Sequence, residues 1–429
     1  MNSVTNPIVT NPIPPQHSLF PLEADFEMIK WEDADQFGKL RRCKMKFLPL
    51  IVAVILVFGG AGVYAGFRVI EPLSLGRWGR WMAWSFLLIP AAIPLWLVID
   101  QLEVGKWLDF LLSASYLALG LVSFLSVVAI FRDLGWLLVR LSHGLIGIPY
   151  TLPDTLSFMR TSSFLVLGLG LCLSTIAISN ALSLPSMRSI QVNFDRLHPD
   201  LQGFKIIQLS DLHLGLMRGA SFLDEVVGKA NSVSPDLVVI TGDLTDGSVE
   251  KLSDTVRPLC KLKAPVLFVT GNHEYYWTPT EWLEHLEGLG LKVLLDSSHM
   301  ISHRSATILV AGVSDPTSQV FFPDRPSGLT ELQNRLKPTN ADLKVLLAHR
   351  PGTAYQAEKQ GFDLQLSGHT HGGQFFPWNF VIHWIQPFAA GLYRFQNMWI
   401  YSSKGTGFWG PPMRLGAQAE IAEIVLSSR

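Results

Sequence analysis

The sequence has few cysteines and few charges, and each shortage argues against a class of site. Its three cysteines, Cys43, Cys172 and Cys260, are spread over a chain of 429 residues. They are too few and too scattered for a disulfide framework or a thiolate zinc site, so we expect packing roles for them. Charged residues make up 16% of the chain and the formal net charge is −1, which argues against a nucleic-acid-binding protein. No long apolar run precedes Lys46, so no signal peptide is expected.

Apolar residues are abundant instead, and they are concentrated in long uncharged runs. Hydrophobic residues make up 48% of the chain, which is too many for one soluble domain. The runs cover residues 47–67, 81–99, 110–131 and 164–184. Each is close to the roughly 20 residues that a helix needs to cross a bilayer. We therefore predict about four transmembrane helices in a multi-pass protein of the cell (inner) membrane, rather than buried helices of a soluble core.

The sequence leaves the orientation of these helices open. Basic residues at 39–46 favour a cytoplasmic N-terminus. The loop between the second and third runs is acidic and the loop between the third and fourth runs is basic, which favours the opposite orientation. The segment 134–148 adds a further alternative, since it reads either as an interfacial helix or as a partial crossing. The side of the membrane that carries the C-terminal domain is not predicted.

Composition divides the chain into four parts. We predict a flexible tail at 1–45, a multi-pass region at 46–185, a polar connector at 186–203 and a soluble domain at 204–429. In the last part, short apolar segments alternate with helical ones, which is typical of an α/β layered domain. The predicted strands are 204–209, 237–241, 266–270, 291–295, 307–313 and 343–348, and the predicted helices are 219–232, 250–262, 279–289 and 329–337.

Polar residues follow the first three predicted strands. Asp211 and His213 come after the first strand, Asp243 after the second, and Asn272 and His273 after the third. A single Asp or His in this position is usually a turn former. Because three strands each deliver such residues to one edge of the sheet, the set indicates a functional site.

Three more histidines belong to this pattern. His349 follows a later strand, and His369 and His371 lie two residues apart in a glycine-rich segment. Carboxylate, imidazole and amide oxygen ligands suit two divalent cations such as Mn, Fe, Zn or Co. The two oxygens of Asp243 could bridge such a pair, and two metals about 4 Å apart suit phosphoester hydrolysis.

The ordered motifs resemble those of the calcineurin-like metallophosphoesterase superfamily. They are Asp-x-His, Gly-Asp, Gly-Asn-His-Glu, a lone His and Gly-His-x-His, in that order over 211–371. Residues 368–374 and 401–407 are similar to a membrane-anchored bacterial branch, which includes phosphodiesterases and a UDP-2,3-diacylglucosamine pyrophosphatase of lipid A biosynthesis. The resemblance implies a β-sandwich flanked by helices over 204–429, and it leaves 1–185 unassigned.

The resemblance also implies roles for individual residues. The first metal would be held by Asp211, His213, Asp243 and His371, and the second by Asp243, Asn272, His349 and His369. His273 would be a proton donor or charge stabiliser rather than a ligand. Glu274 would orient His273 or a metal ligand, and Asp246 would do the same for His213 or serve only as a turn carboxylate. Asp246 replaces the Tyr of purple acid phosphatases, and Gly247 replaces an Arg of protein phosphatases, so both of those activities are disfavoured.

These observations predict a metal-dependent phosphodiesterase or pyrophosphatase acting at the bilayer, with a lipid-linked substrate such as UDP-2,3-diacylglucosamine. The alternatives are a broad phosphomonoesterase or phosphodiesterase of the cell envelope, a transporter or channel with a regulatory head, and a binding domain without activity. Substrate choice is expected in the loops 314–328 and 375–398. The aromatic segment 375–388 is either domain core or a loop that enters the bilayer interface. The oligomeric state is not predicted.

Overall fold

A computed structural model describes residues 52–100, 106–146, 153–277, 279–323, 326–336 and 339–429. The predicted tail at 1–45 lies outside the described residues. The described chain forms two compact units. The membrane unit ends at Leu182 and includes Gly410–Met413, and the C-terminal unit consists of Ser183–Trp409 and Arg414–Arg429.

Apolar helices form the membrane unit. The helices α1 (Val52–Leu73), α4 (Lys106–Ile146) and α5 (Thr155–Leu182) are long and apolar enough to cross a membrane. The second predicted run is broken into α2 (Arg77–Leu88), a 3-10 turn at Ile89–Ala92 and α3 (Ile93–Asp100). Its two prolines explain the break, because proline lacks the N–H that continues a helix. The prediction of N-terminal transmembrane helices is therefore confirmed, with three continuous helices and one broken run.

Contacts along α1 give the direction of the broken run. Gly62 lies directly against the backbone of Leu87, and Gly66 lies against the ring of Trp84. As the residue number rises along α1 it falls along the broken run, so the two are antiparallel.

Helix α4 then runs parallel to α1. Ser126 Oγ donates to the carbonyl of Ala61 at 3.2 Å, and Tyr64 Oη donates to Asp133 Oδ2 at 2.8 Å. The broken run therefore lies antiparallel to α4 as well as to α1. The segments α1, the broken run and α4 thus alternate in direction.

Helix α4 continues past the predicted end of the third run. The helix continues through Arg132 and Asp133, which lie just past the predicted uncharged run at 110–131. Asp133 Oδ2 accepts a hydrogen bond from Arg68 Nε of α1 at 2.6 Å, so charged partners on neighbouring helices neutralise each other. The segment 134–148 begins as the last turns of α4 and not as a separate interfacial helix.

The C-terminal unit contains two six-stranded sheets. The first has the order β1 (Ser186–Phe194), β12 (Glu420–Ser428), β2 (Lys205–Leu209), β3 (Leu237–Thr241), β4 (Val266–Val269) and β5 (Lys292–Val293). The second has the order β10 (Gly391–Phe395), β11 (Met398–Ser402), β9 (Leu364–Ser367), β8 (Leu343–Leu347), β7 (Ala306–Gly312) and β6 (Ser297–His303).

Alternation along β3 explains how the layers pack. Leu237 and Val239 lie in the core shared with the second sheet, where Val345 is one of their partners. Val238 and Ile240 face the other way, into a core built with the flanking helices, because successive side chains of a strand point to opposite faces. The prediction of a β-sandwich flanked by helices is confirmed.

Helices cover the outer faces of both sheets. On the first sheet they are α6 (Ala220–Ser232), α7 (Val249–Val256) and α9 (Pro279–Gly288). On the second they are α11 (Leu329–Arg335) and α12 (Ala354–Ala357). The remaining short helices are α8 (His273–Tyr276), α10 (Ser318–Phe321) and α13 (Trp378–Ile385).

The segment predicted as a connector, residues 186–203, contains strand β1. This strand pairs in parallel with β12 from Ser186 opposite Glu420 to Phe194 opposite Ser428. The connector segment thus supplies the edge strand of the first sheet.

Candidate metal centre

Polar loops from both sheets meet at one end of the sandwich. In the first sheet, β2, β3 and β4 are parallel neighbours, and the loops after them carry Asp211, Asp243 and Asn272. In the second sheet, β8 and β9 are parallel, and the loops after them carry His349 and His369. Ligand sites of open α/β sheets lie at the carboxyl ends of such strands.

Seven of the eight predicted site residues form three overlapping groups. Within each group the ligand atoms lie within 4.8 Å of one another; the groups are Asp211, His213 and His371; His213, Asp243 and His273; and Asp243, His349 and His369. Asp243 belongs to two groups: its Oδ2 lies 3.2 Å from His349 Nε2 and 3.7 Å from His213 Nε2. One buried carboxylate therefore lies between two sets of potential ligands.

Ring nitrogens converge on both sides of this carboxylate. His213 Nε2 lies 3.2 Å from His371 Nε2, and His349 Nε2 lies 3.1 Å from His369 Nδ1. Imidazole nitrogens are the commonest metal ligands in proteins. Such close nitrogen pairs beside carboxylates make a donor set suited to divalent transition metals.

The backbone at these residues is strained. Asp211, His213, Asp243, His369 and His371 have positive φ angles of 53°, 45°, 52°, 71° and 49°. Residues with a side chain seldom adopt this left-handed conformation. Strain of this kind persists where the surrounding fold enforces it, and it is concentrated at functional sites.

Two glycines allow the loops to approach the carboxylates. A Cβ atom at Gly271 would meet the carboxylate of Asp243, and one at Gly368 would meet Ser210 Oγ and the carboxylate of Asp211. The side chain of any other residue would displace those carboxylates.

Asn272 provides the test of whether the site fits a cation. Its side chain is 6% exposed, and its Nδ2 donates to Tyr276 Oη at 3.1 Å. Among the described residues its Oδ1 is buried and has no hydrogen-bond partner. A buried amide oxygen without a partner is costly, and a divalent cation bound at this oxygen would satisfy it. The donor set therefore fits a metal.

One carboxylate contacts two of the imidazoles. Asp246 Oδ1 lies 2.6 Å from His273 Nδ1 and 3.0 Å from His213 Nδ1. Burial opposes protonation of His273, but the carboxylates of Asp243 and Asp246 outweigh it and raise the pKa of His273 to about 9. Asp246 is therefore an orienting group for both rings and not only a turn carboxylate.

Glu274 holds the loops rather than a ring. Its buried carboxylate accepts from the backbone N–H groups of Asp243 at 3.0 Å, Leu244 at 2.7 Å and Gly271 at 2.6 Å. Burial and the charge of Asp243 raise its pKa to about 7. Glu274 thus fixes the backbone of the loop that carries Asp243, a predicted metal ligand, against the next loop.

The electrostatic environment differs between two neighbouring imidazoles. Burial would lower the pKa of His349, but Asp243 and Asp211 raise it to about 10. Burial and the nearby His349 and Arg350 lower the pKa of His369 to about 3. The ring of His369 is thus neutral near pH 7, the form in which imidazole binds metals.

Arg414 lies beside the histidine segment and is not among the predicted site residues. This arginine is fully buried, and its Nη1 donates to the carbonyl oxygens of His371 at 3.1 Å and Lys404 at 2.7 Å. Its Nη2 lies 3.1 Å from His371 Nδ1. Arg414 fixes the histidine segment from behind, and no local motif marks it.

The loop at 314–328 borders a cavity of about 560 Å³. Tyr275 of α8 lines it together with Ser314 and Ser318, and Glu284 and Asp296 give it an acidic wall. The expected part of this loop in substrate choice stays a prediction.

Comparison with known proteins agrees with this geometry. The sequence model of the calcineurin-like phosphoesterase family matches residues 204–373. An uncharacterized metallophosphoesterase of Campylobacter jejuni is 32% identical over 90% of this chain and 100% of its own length. Two animal relatives are named "transmembrane protein with metallophosphoesterase domain". The Danio rerio protein is 36% identical over 59% of this chain and 60% of its own length. The Bos taurus protein is 36% identical over 60% of this chain and 60% of its own length. The chain thus spans about 60% of the length of these two animal relatives. This chain belongs to the metallophosphoesterase family.

Proposed function

We propose that the C-terminal unit, called the catalytic unit from here on, is a dinuclear, metal-dependent phosphoester hydrolase. The first cation would be held by Asp211, His213, Asp243 and His371, and the second by Asp243, Asn272, His349 and His369. The observation that carries this proposal is the position of Asp243, whose carboxylate belongs to a ligand group on each side. The unpartnered Asn272 Oδ1 supports it.

Cations bound there would supply Lewis acidity to the phosphoryl oxygens and to a water molecule. The chain itself positions the proton donor. With Nδ1 of His273 on Asp246, the opposite nitrogen, Nε2, is left to give a proton to the departing alcohol oxygen. General acid catalysis of this kind contributes about 10²–10⁴-fold.

Hydrolysis of bis-p-nitrophenyl phosphate by the purified full chain tests this proposal. We expect chelation to abolish turnover and added Mn²⁺ to restore it. The Asp243→Asn variant should be inactive under both conditions, because it loses the shared ligand. Turnover that survives chelation, or that equals wild type in Asp243→Asn, would overturn the proposal.

For the substrate, we propose a phosphodiester or pyrophosphate linked to a lipid, of the class represented by UDP-2,3-diacylglucosamine, in the cell (inner) membrane. The support is that the same chain carries three candidate membrane-spanning helices. A broad phosphomonoesterase or phosphodiesterase of the envelope is the second candidate. Comparing turnover of a lipid-linked pyrophosphate with that of a soluble diester in vesicles discriminates between them.

The transporter or channel alternative ranks below these. It needs ionisable groups along a path, and the described membrane unit does have Arg68 and Asp133 on facing helices. These groups pair with each other at 2.6 Å, an arrangement that holds α1 to α4. Flux in vesicles that survives loss of the metal ligands would reverse the ranking.

A further inference from the structure

An apolar helix directly follows the histidine segment of the candidate metal centre. Helix α13 has the sequence WNFVIHWI, with no Asp, Glu, Lys or Arg, and none of its residues is buried. Phe380 is 60% exposed and Trp384 is 86% exposed. Contiguous exposed apolar surface marks an interaction site, and tryptophan is enriched where protein meets the bilayer interface.

Helix α13 is fixed to the segment that carries His371. The turn His371–Gly373 precedes it, and Gly373 lies directly against the backbone of Trp378 and Asn379. A side chain at position 373 would separate the helix from the turn. The position of α13 is therefore tied to a residue of the centre.

Exposed aromatic surface also lies beside the proposed proton donor. Trp409 is 50% exposed, and its ring centroid lies 6.0 Å from that of His273. The amide of Gln374 holds it by two hydrogen bonds to its backbone, each of 2.9 Å. Gln374 lies between the His371–Gly373 turn and α13 in the chain, so the same short segment fixes both apolar features.

The chain connection brings a bilayer close to the catalytic unit. Helix α5 ends at Leu182 and strand β1 begins at Ser186. Four peptide steps span at most about 14 Å. The start of β1 thus lies no more than about 14 Å from the end of α5, a candidate membrane-spanning helix, so a lipid bilayer is the apolar phase that this chain itself supplies.

We propose that α13 docks into the lipid bilayer through Phe380 and Trp384, so that the candidate metal centre opens at the membrane interface. The benefit of this docking, entry of a lipid-linked phosphoester from the bilayer, rests on the proposed function. The docking itself is a separate physical property of the helix.

A nitroxide label measures the docking without any turnover. The label is placed by Trp384→Cys in the full chain, in a background where Cys43, Cys172 and Cys260 are replaced by serine. Vesicles of phosphatidylethanolamine and phosphatidylglycerol supply the bilayer. The matched control is Met300→Cys on β6, where the native residue is 40% exposed on a polar strand.

We expect the label at 384 to collide with oxygen more often than with a water-soluble nickel chelate, and the label at 300 to show the reverse. Equal behaviour at the two positions would overturn the proposal. A label at 384 that is shielded from both reagents would also overturn it, because a protein partner or a second copy would then cover the helix.

Turnover provides the second readout. We expect Phe380→Ser with Trp384→Ser to lower hydrolysis of a vesicle-borne diester by at least about tenfold, because the burial of two aromatic rings in the bilayer is lost. The double variant should hydrolyse soluble bis-p-nitrophenyl phosphate at the wild-type rate. The Met300→Ser control should hydrolyse both substrates at the wild-type rate. Equal losses on both substrates would overturn the proposal. A chain that hydrolyses neither substrate but inserts position 384 would overturn the proposed function alone.

Discussion

The Oδ1 atom of Asp246 lies 2.6 Å from Nδ1 of His273. The same oxygen lies 3.0 Å from Nδ1 of His213, so one carboxylate orients the proposed proton donor and a proposed metal ligand together. Carboxylates that hold the far nitrogen of a ligating imidazole fix its tautomer and ring orientation. The proposed proton transfer and the proposed metal binding therefore depend on the same carboxylate.

Replacing this carboxylate should weaken both roles. We expect Asp246→Asn to lose activity or metal affinity by about 10–100-fold, as is typical when a partner of a ligating histidine is changed. The measurements are kcat for bis-p-nitrophenyl phosphate and the Mn²⁺ concentration at half-activation. Asp254→Asn on α7 is the matched control, because the Asp254 side chain is 92% exposed. Wild-type values in Asp246→Asn would contradict the role.

Glu274 should matter for stability as well as for activity. In Glu274→Gln, an NH₂ group must face at least one of the three backbone N–H groups that the carboxylate now satisfies. Leaving a buried donor unpaired costs about 1–3 kcal/mol, which lowers the melting temperature of a domain this size by about 5 °C. Thermal unfolding of the full chain checks this. The exposed Glu281→Gln should melt like wild type, and an unchanged melting temperature in Glu274→Gln would contradict the expectation.

The close packing around Gly368 allows a test of whether the loops must stay in contact. Gly368→Ala places a Cβ against Ser210 Oγ and the carboxylate of Asp211, so we expect loss of bound metal and of activity. Gly228→Ala in α6 is the control, since nothing lies within 4 Å of the added atom. It should leave activity intact and stabilise by about 0.5–1 kcal/mol. Full metal binding in Gly368→Ala would show that the loops can move apart.

The antiparallel return of the broken run predicts the membrane topology. With α1, the broken run, α4 and α5 crossing in turn, residues before α1 and the catalytic unit should lie on one side of the membrane. The native thiols report this: Cys43 precedes α1 and Cys172 lies within α5. The packing role predicted for Cys260 was wrong, because this residue is exposed in the catalytic unit. An impermeant maleimide should label single-cysteine variants at 43 and 260 from the same side and leave 172 unlabelled. Labelling of 43 and 260 from opposite sides would contradict four crossings.

The sequence predicted the polar loops because each motif is local. Asp211 and Asp243 each follow a short apolar strand within a few residues, so strand and ligand are recognised together. The pairing of Ser186 with Glu420 joins segments more than 200 residues apart, and no local pattern contains that information. For this reason a polar connector was predicted where the edge strand lies.

Residues that act from a distance were harder to predict. Arg414 reaches the backbone of His371 from a segment without a motif, and the burial that makes it effective is a property of the folded chain. Likewise Asp133 stays in a long apolar helix because Arg68 neutralises it from another helix. A hydropathy pattern shows that a charge is present in the helix but does not identify the residue that pairs with it.

Metal content measured together with activity tests the central proposal most directly. We expect elemental analysis of the purified full chain to find about two divalent metal ions per chain, as a dinuclear site requires. His273→Ala should keep them and lose about 10²–10⁴-fold in kcat for bis-p-nitrophenyl phosphate, the usual contribution of a general acid. Asp243→Asn should lose the metal together with the activity. Equal loss of metal in the two variants, or a fully active wild-type chain with a single metal ion, would contradict this account.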